Sequence, residues 1–340
     1  MRVYVGMSGG VDSSLTAALL VEQGYDVTGV YMKNWTQDLP GMKCPWADDL
    51  ADAKRVAVQL GIDFKVFDFE KEYKHKVVDY MIDEYKLGRT PNPDIMCNQE
   101  VKFKLFLEAA LEDGADMIAT GHYARVKDGA LLQAVDANKD QTYFLYRVSH
   151  EALTKTLFPL GEYTKPEVRK MAKERGLFTA VKKDSQGICF VGKIGIREFL
   201  SEYVEQKPGD IIDKASGKVL GRHDGAIFYT LGQRHGLDVG GGLPYYVVGK
   251  NMDKNEVYVT TDLNDGTLWR KDVQLQEIHW INEQPADGDY SIRVRHRAPL
   301  VKATLKDSIL ALENAERAIT AGQSIVIYSG NICVGGGIVA

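Results

Sequence analysis

Apolar residues near the start of the chain alternate between short continuous runs and longer stretches with helical spacing. Val3-Tyr4-Val5 is a strand-like run, and the pattern from Leu15 to Leu20 continues as a helix closed by Gly24. Val27 to Tyr31 reads as a second strand. Ala47 to Leu60 is amphipathic with Gly61 as its stop, and Phe64 to Phe67 is a third strand. Tyr73 to Leu87 and Val101 to Leu111 are predicted helices, and Met117 to Thr120 a short buried strand. Thr164, Pro166 and Glu167 open a helix that ends at Gly176. This alternation predicts an α/β, doubly wound parallel sheet that takes ligands at the carboxyl ends of its strands.

The pattern changes after Tyr203. Pro208-Gly209-Asp210 and Ala215-Ser216-Gly217-Lys218 read as turns. Short alternating runs follow at Ile227 to Thr230, Tyr245 to Gly249 and Val257 to Thr260. From Leu268 onward, strands such as Ser291 to Arg297, Val301 to Leu305 and Ser324 to Tyr328 are separated by turns. We therefore expect a first domain over 1–198, a small β-rich domain over 199–267 and a β-barrel over 268–340. No internal repeat is evident.

Composition narrows the class further. The chain has 340 residues, 44% hydrophobic and 26% charged, as an ordinary globular protein does. Its apolar runs are too short to cross a bilayer. Met1-Arg2-Val3-Tyr4 enters the first strand directly, with no signal peptide, which points to the cytoplasm. The cysteines, Cys44, Cys97, Cys189 and Cys333, are scattered and form no CxxC pair, which argues against a zinc site or a disulfide scaffold. A net charge of −5 carries no global signal for nucleic acid, so any RNA contact must come from a local basic surface.

Between the first strand and the first helix lies Gly6-Met7-Ser8-Gly9-Gly10-Val11-Asp12-Ser13-Ser14. A strand, a Gly/Ser turn and a helix N-terminus form an anion site, because glycines let backbone N–H groups approach an oxyanion. No lysine follows the glycines, so this is not the Walker loop. The segment resembles the SGGxDS pyrophosphate loop of ATP pyrophosphatases, which cleave ATP to AMP and pyrophosphate and place AMP on a substrate oxygen.

Two cysteines sit in distinctive surroundings. Cys97 follows the proline-stiffened Thr90-Pro91-Asn92-Pro93-Asp94. Asn98 is a candidate N-cap for the next helix, which would set Cys97 near a positive dipole end and favour thiolate; a small buried cysteine fits the segment equally well. Cys189 lies between Gly187 and Gly192, after Lys182 and Lys183, which could hold a thiolate or persulfide anion; alone it too fits a core cysteine.

Taken together, several segments resemble the tRNA-specific 2-thiouridylase family, in family order over nearly the whole chain. They are the pyrophosphate loop, Asn92-Pro93-Asp94 with Cys97-Asn98, and Gly121-His122-Tyr123-Ala124-Arg125. Lys139-Asp140-Gln141 before Tyr143-Phe144-Leu145, Asp184 to Phe190, and Tyr229-Thr230-Leu231-Gly232-Gln233-Arg234 complete the set. The stretch Lys193-Ile194-Gly195 departs from the family pattern.

The resemblance implies an adenine nucleotide alpha hydrolase-like fold in the first domain. It also implies adenylation of the C2 oxygen of a wobble uridine in tRNA (of the Lys, Glu and Gln type) and its replacement by sulfur. ATP with Mg²⁺ would be held by Gly6, Met7, Ser8, Gly9, Gly10, Val11, Asp12 and Ser13, with Met32 and Gly121 at the adenosine. Asn92, Pro93 and Asp94 would meet the target base, where Asp94 could accept the uracil N3–H; a turn residue satisfying its own backbone is the plainer alternative. Cys189 would carry persulfide sulfur, and Cys97 would be the second catalytic cysteine, ending as a Cys97–Cys189 disulfide. Partners would be tRNA and a sulfur-relay or cysteine desulfurase protein, with the enzyme a monomer.

For tRNA, the resemblance implies contacts from His122, Lys139, Asp140, Gln141, Arg295, His296 and Gln323. Arg293, Arg295 and Arg297 alternate, so on one strand they would share a face suited to phosphates. Trp35 and Trp46 flank a loop that could move near the site. Cys44 receives no role, and Cys333 is expected in the core. The competing readings are a synthetase or amidating enzyme of the same fold acting on a small metabolite, and a non-catalytic nucleotide sensor.

Overall fold

Seven short strands build the first part of the molecule: β1 (Arg2–Gly6), β2 (Asp26–Lys33), β3 (Asp63–Asp68), β4 (Met117–Ala119), β5 (Ala124–Lys127), β6 (Ala130–Gln133) and β7 (Thr156–Leu157). They are seen in a computed structural model that describes residues 1–39, 41, 43–183, 195–240 and 242–340. Five of them form a parallel sheet in the order β3-β2-β1-β4-β7. The chain runs outward from β1 in one direction and from β4 in the other, so the sheet's switch point lies between β1 and β4. Tyr4 pairs beside both Thr28 and Ile118 there.

The alternation in β1 explains the two layers. Val3 and Val5 join the cluster on the face covered by α1 (Val11–Glu22), α2 (Trp46–Leu60) and the helix Lys165–Glu174. Tyr4, one residue out of phase, joins the opposite cluster with the helical stretches 70–86 and 93–112. Within 93–112, the turn Pro93–Met96 passes into π-helical winding over Cys97–Leu105, a form often found at functional sites.

The second sheet has four strands, β8 (Gly209–Asp213), β9 (Val219–His223), β10 (Tyr246–Asn251) and β11 (Glu256–Thr260), in the order β10-β11-β8-β9. The last part contains β12 (Trp269–Trp280), β13 (Gly288–Arg293), β14 (Val301–Lys306), β15 (Ile309–Arg317), β16 (Ser324–Ser329) and β17 (Ile332–Val339). They run β12-β15-β14-β13-β16-β17, and a β12–β17 pairing closes them into a six-stranded barrel around Val273, Ile292, Leu310 and Ile325.

The β5–β6 hairpin of the first domain extends the barrel's sheet, with Leu131 beside Cys333 and Leu132 beside Ile332. A buried ion pair crosses the same boundary, with Arg293 Nη1 2.8 Å from Asp140 Oδ2 and side-chain exposures of 9% and 1%. Tyr143 donates from its hydroxyl to the Ser324 carbonyl at 2.9 Å, and one apolar cluster runs from Tyr4 through Ile211 to Tyr328. The barrel is therefore fastened to the parallel-sheet domain by backbone pairing, charge and packing together.

Three local expectations are corrected. The strand expected to reach Arg297 ends at Arg293, because a bend follows and Arg297 takes a φ of 62°. Ile227 to Thr230 holds a short 3₁₀ turn, Ala226–Phe228, rather than a strand. Gly209 and Asp210 lie in β8, not in a turn. The segment around Trp35 packs inward, with Trp35, Leu39 and Cys44 all buried and the Cys44 N–H donating to Asp38 Oδ1 at 2.8 Å.

Candidate active site

The glycine loop emerges from β1 at the switch point. Met7 is buried, and its N–H donates to the Val30 carbonyl at 2.8 Å, holding the start of the loop against β2. Gly9 has a φ of +73°, and a side chain there would overlap the Asp49 carbonyl oxygen at the start of α2. Gly10 is the N-cap of α1 and offers no side chain, which leaves the helix N-terminus open. Ser13 Oγ accepts from the Ser8 N–H at 3.2 Å and closes the loop on itself. Val11 anchors the helix in the core.

Gly121 follows β4 across the switch point. A Cβ there would lie 2.9 Å from the Asp12 carbonyl carbon and the Ser13 nitrogen, so only glycine allows this approach to the first turn of α1. Met32 lies at the end of β2, with its methyl group 3.0 Å from where a Gly6 Cβ would be. The structure thus brings Gly6, Met32, Gly121 and the loop together.

Asp12 is the carboxylate of this cluster. Lys165 Nζ lies 2.7 and 2.8 Å from its two oxygens, and the Tyr123 hydroxyl donates to Oδ1 at 2.9 Å. Neither partner was picked out by spacing. Lys165 is the first residue of the helix capped by Thr164 and Glu167, so it reads as an ordinary helix-start lysine. Among the described residues no group of three or more His, Cys, Asp or Glu is arranged to hold a metal ion. A single carboxylate suits Mg²⁺ that arrives on a nucleotide, since that ion keeps phosphate and water as most of its ligands.

The second cluster lies on the helical stretch 93–112. Asn92 is its N-cap, with Oδ1 accepting from the Asp94 and Ile95 N–H groups at 3.2 and 3.4 Å, and Pro93 occupies the first turn. This corrects the expectation for Asn98, which lies inside the helix, buried, and donates to the Phe144 carbonyl at 3.0 Å. Cys97 is consequently a full turn into the helix and 3% exposed. Burial raises the Asp94 carboxyl above the usual carboxylate range, with the charge of Lys102 opposing.

Lys102 also bears on His122, whose ring is held well below its ordinary value first by burial and then by that charge. His122 faces inward. It is buried, exchanges a hydrogen bond with Thr120 Oγ1 at 2.8 Å, and packs beside Phe103 and Phe158.

Asp140 and Gln141 are also inward. Asp140 is 1% exposed and pairs with Arg293, and Gln141 Oε1 accepts from the Tyr123 N–H at 2.9 Å. Lys139, on the same turn, is half-buried. The single arginine face is thereby overturned, since Arg293 is buried while Arg295 and Arg297 are exposed on a bend.

Arg295, His296 and Gln323 instead meet the Asn92 turn. They line a cavity of about 130 Å³ together with Pro91 and Tyr143. The barrel approaches closely there: the Thr90 N–H donates to the Ala321 carbonyl at 2.9 Å, and Gly322 (φ +89°) has no room for a side chain against Thr90. The Thr230 hydroxyl, from the matched segment Tyr229 to Arg234, lies 3.3 Å from that of Thr90.

Cys189, with the segment Asp184 to Phe190 and Lys193-Ile194, lies outside the described residues. Lys182, just before it, is engaged by Asp49 and Asp52 at 2.8 and 2.7 Å rather than held for an anion. Cys333 is core, 1% exposed in β17, and burial raises its thiol. Burial does the same for Cys44.

Comparison with known proteins covers the same ground. Residues 1–193 match the family model described as tRNA methyl transferase HUP domain, 197–261 the tRNA methyl transferase PRC-barrel domain, and 270–339 the aminomethyltransferase beta-barrel domain. The tRNA-specific 2-thiouridylase MnmA of Bacillus cytotoxicus is 48% identical over 347 residues, covering 98% of this chain and 93% of that protein. The protein of the same name from Bacillus anthracis matches with the same identity and coverage. Among solved structures, a 4-thiouridine synthetase–RNA complex with bound ATP aligns at 20% identity and a TM-score of 0.40, covering 60% of this chain and 50% of that one. NMN synthetase from Francisella tularensis aligns at 15% identity and a TM-score of 0.36, covering 54% and 66%.

Proposed function

The chain belongs to the tRNA-specific 2-thiouridylase family, and on that premise we propose how its residues exchange oxygen for sulfur at C2 of a tRNA wobble uridine. It is a tRNA-uridine 2-sulfurtransferase that uses ATP. The observation that carries the reading is the convergence of the glycine loop, Gly121 and Asp12 at one switch point in a chain that matches these enzymes over 98% of its residues.

A uracil C2 oxygen is a poor leaving group. ATP makes it a good one: the oxygen attacks the α-phosphorus, pyrophosphate leaves, and the N3 proton must depart. The loop N–H groups from Ser8 to Ser13 and the α1 N-terminus hold the phosphates. Lys165, resting on Asp12, supplies a cation to the departing pyrophosphate. Mg²⁺ bound with the nucleotide would neutralise phosphate charge, with Asp12 the carboxylate at hand among the described residues. Asp94, beside the target base, takes the N3 proton; a buried carboxyl that holds protons more tightly than usual is suited to this.

The sulfur comes from a persulfide on Cys189. Its terminal sulfur adds to C2, AMP leaves with the former C2 oxygen, and the Cys97 thiolate attacks the inner sulfur of Cys189. The products are 2-thiouridine, AMP and a Cys97–Cys189 disulfide, which an external thiol reduces; release of hydrosulfide before attack on C2 gives the same balance. Methyl transfer, named in two of the matching descriptions, would have no use for a phosphate loop.

Residues 1–198 are proposed as the catalytic domain, 199–267 as the central domain and 268–340 as the tRNA-contacting barrel. Among the described residues no helix is long and apolar enough to cross a membrane. A cytoplasmic monomer served by a sulfur-relay or cysteine desulfurase donor completes the proposal.

The test is mass spectrometry of nucleosides from tRNA incubated with the full chain, ATP and a persulfide donor. We expect 2-thiouridine only with ATP present, and none from Cys97→Ser, which should still release pyrophosphate. ATP turnover on tRNA without 2-thiouridine, under a competent donor, would overturn the reading.

A further inference from the structure

Lys165 reaches Asp12 at the end of a flexible four-carbon stem, so its aim depends on where its backbone is held. The hold comes from Asp136, 29 residues earlier in the chain. Asp136 is 8% exposed, and its Oδ2 accepts from the Lys165 backbone N–H at 2.8 Å. That N–H belongs to the first turn of the helix Lys165–Glu174, where the helix itself offers no carbonyl to receive it. A carboxylate at this end is favoured by the helix dipole as well as by the hydrogen bond. The other oxygen, Oδ1, accepts from the Asn138 and Lys139 N–H groups at 3.0 and 3.2 Å. One buried side chain thus ties the turn 136–141 to the root of Lys165. The Val135 N–H, donating to the Gly161 carbonyl at 2.9 Å, ties the same two segments a second time.

The far end of that turn sets another partner of Asp12. The Gln141 N–H donates to the Tyr123 carbonyl, and Gln141 Oε1 accepts from the Tyr123 N–H, both at 2.9 Å. The Tyr123 hydroxyl then donates to Asp12. Lys165 and Tyr123 both hold the Asp12 carboxylate, and they are fixed from opposite ends of one short turn. A displacement of about 1 Å near a reacting group can cost about a hundredfold in rate. We propose that Asp136 is a positioning residue for the nucleotide site. It acts through Lys165, by aiming the ammonium at Asp12 and at the pyrophosphate that leaves beside it. The inference rests on the tRNA thiolation reading and adds to it a residue outside the nucleotide loop.

The experiment is a double-mutant cycle in the full-length protein, with Asp136→Asn, Lys165→Met and the two combined. Asparagine keeps the shape and one acceptor oxygen of the aspartate, and thermal unfolding checks that each variant is folded at the assay temperature. Pyrophosphate release in the presence of tRNA gives kcat/KM for ATP and KM for tRNA. We expect Asp136→Asn to lower kcat/KM for ATP by about tenfold, the scale of a charge-assisted hydrogen bond weakened to a neutral one. KM for tRNA should stay near the wild-type value. In the Lys165→Met background the same substitution should have no further effect on kcat/KM for ATP, because the ammonium it aims is gone.

An equal loss in both backgrounds would give Asp136 a role independent of Lys165 and would overturn the inference. So would a normal kcat/KM for ATP with a raised KM for tRNA, which would mean that the carboxylate serves the turn alone. A wild type that releases no pyrophosphate with tRNA would bring down the thiolation reading, and this inference with it, and is distinguishable from both of those outcomes.

Discussion

Arg293 and Arg295 are two residues apart and should behave as different kinds of residue. Arg293→Met removes the cation from a pair whose side chains are 9% and 1% exposed, leaving Asp140 buried. Breaking one side of such a pair costs about 3–5 kcal/mol. Asp140 keeps bonds from the Ala134 N–H at 3.1 Å and from Thr142 Oγ1 at 2.9 Å, so the lower end applies. A loss of about 3 kcal/mol corresponds to roughly 6–12 °C in melting temperature at the scale of a large domain.

Arg295 is exposed, and its guanidinium donates to the Arg317 carbonyl at 3.0 Å. Arg295→Ala should change stability by no more than about 0.5 kcal/mol. It should instead weaken tRNA binding and reduce the slope of log affinity against log salt by about 0.7–0.9. The assay is thermal unfolding of both variants, followed by tRNA affinity at several salt concentrations well below the lower melting point. A stable Arg293→Met with a flattened salt slope would refute the reasoning, for it would make Arg293 the phosphate contact and the ion pair incidental.

Lys165→Met should raise the KM for ATP and slow pyrophosphate release by tenfold or more, on the order of a lost charge-assisted contact; unaltered steady-state kinetics would remove Lys165 from the nucleotide site. Asp94→Asn should abolish activity yet raise the melting temperature at neutral pH. A carboxyl whose folded pKa is raised makes the folded state less stable as pH rises through that range, and the amide has no such charge to bury. A lower melting temperature would contradict it. Lys250, in β10, donates to the Tyr229 carbonyl at 2.8 Å and is pushed down by burial to about 8 from 10.5. The unfolded chain binds the extra proton between those values, so this group's contribution makes stability rise with pH there. Lys250→Met should stabilise the protein at pH 7 by roughly 2 kcal/mol after loss of the hydrogen bond, and flatten that rise; titration of the denaturation midpoint with pH checks both.

The parallel-sheet domain was legible because its strands are short apolar runs and its helices end at glycines. Gly24 and Gly61 both take positive φ where the spacing placed the stops. The glycine loop was legible for the same local reason. Most of what failed was set by distant partners. The β5–β6 hairpin is two four-residue strands whose neighbour, β17, lies about two hundred residues away, and nothing local marks that pairing. The arginine alternation from 293 to 297 assumed a strand, whereas the chain turns after Arg293 to bury it on Asp140. Asn98 looked like a cap because it precedes an apolar run, but Asn92 with Pro93 at its back is the better cap and starts the helix a turn and a half earlier. Lys165 was invisible because its meaning depends on Asp12, far away in sequence.

The central claim is that the C2 oxygen of the target uridine receives AMP before sulfur arrives. A stem-loop or tRNA labelled with ¹⁸O at C2 of that uridine, incubated with the enzyme, ATP and a persulfide donor, tests this by the mass of the AMP formed. The account predicts one ¹⁸O atom in AMP for each 2-thiouridine produced. Unlabelled AMP accompanying 2-thiouridine would mean the oxygen left by another route, and would contradict it.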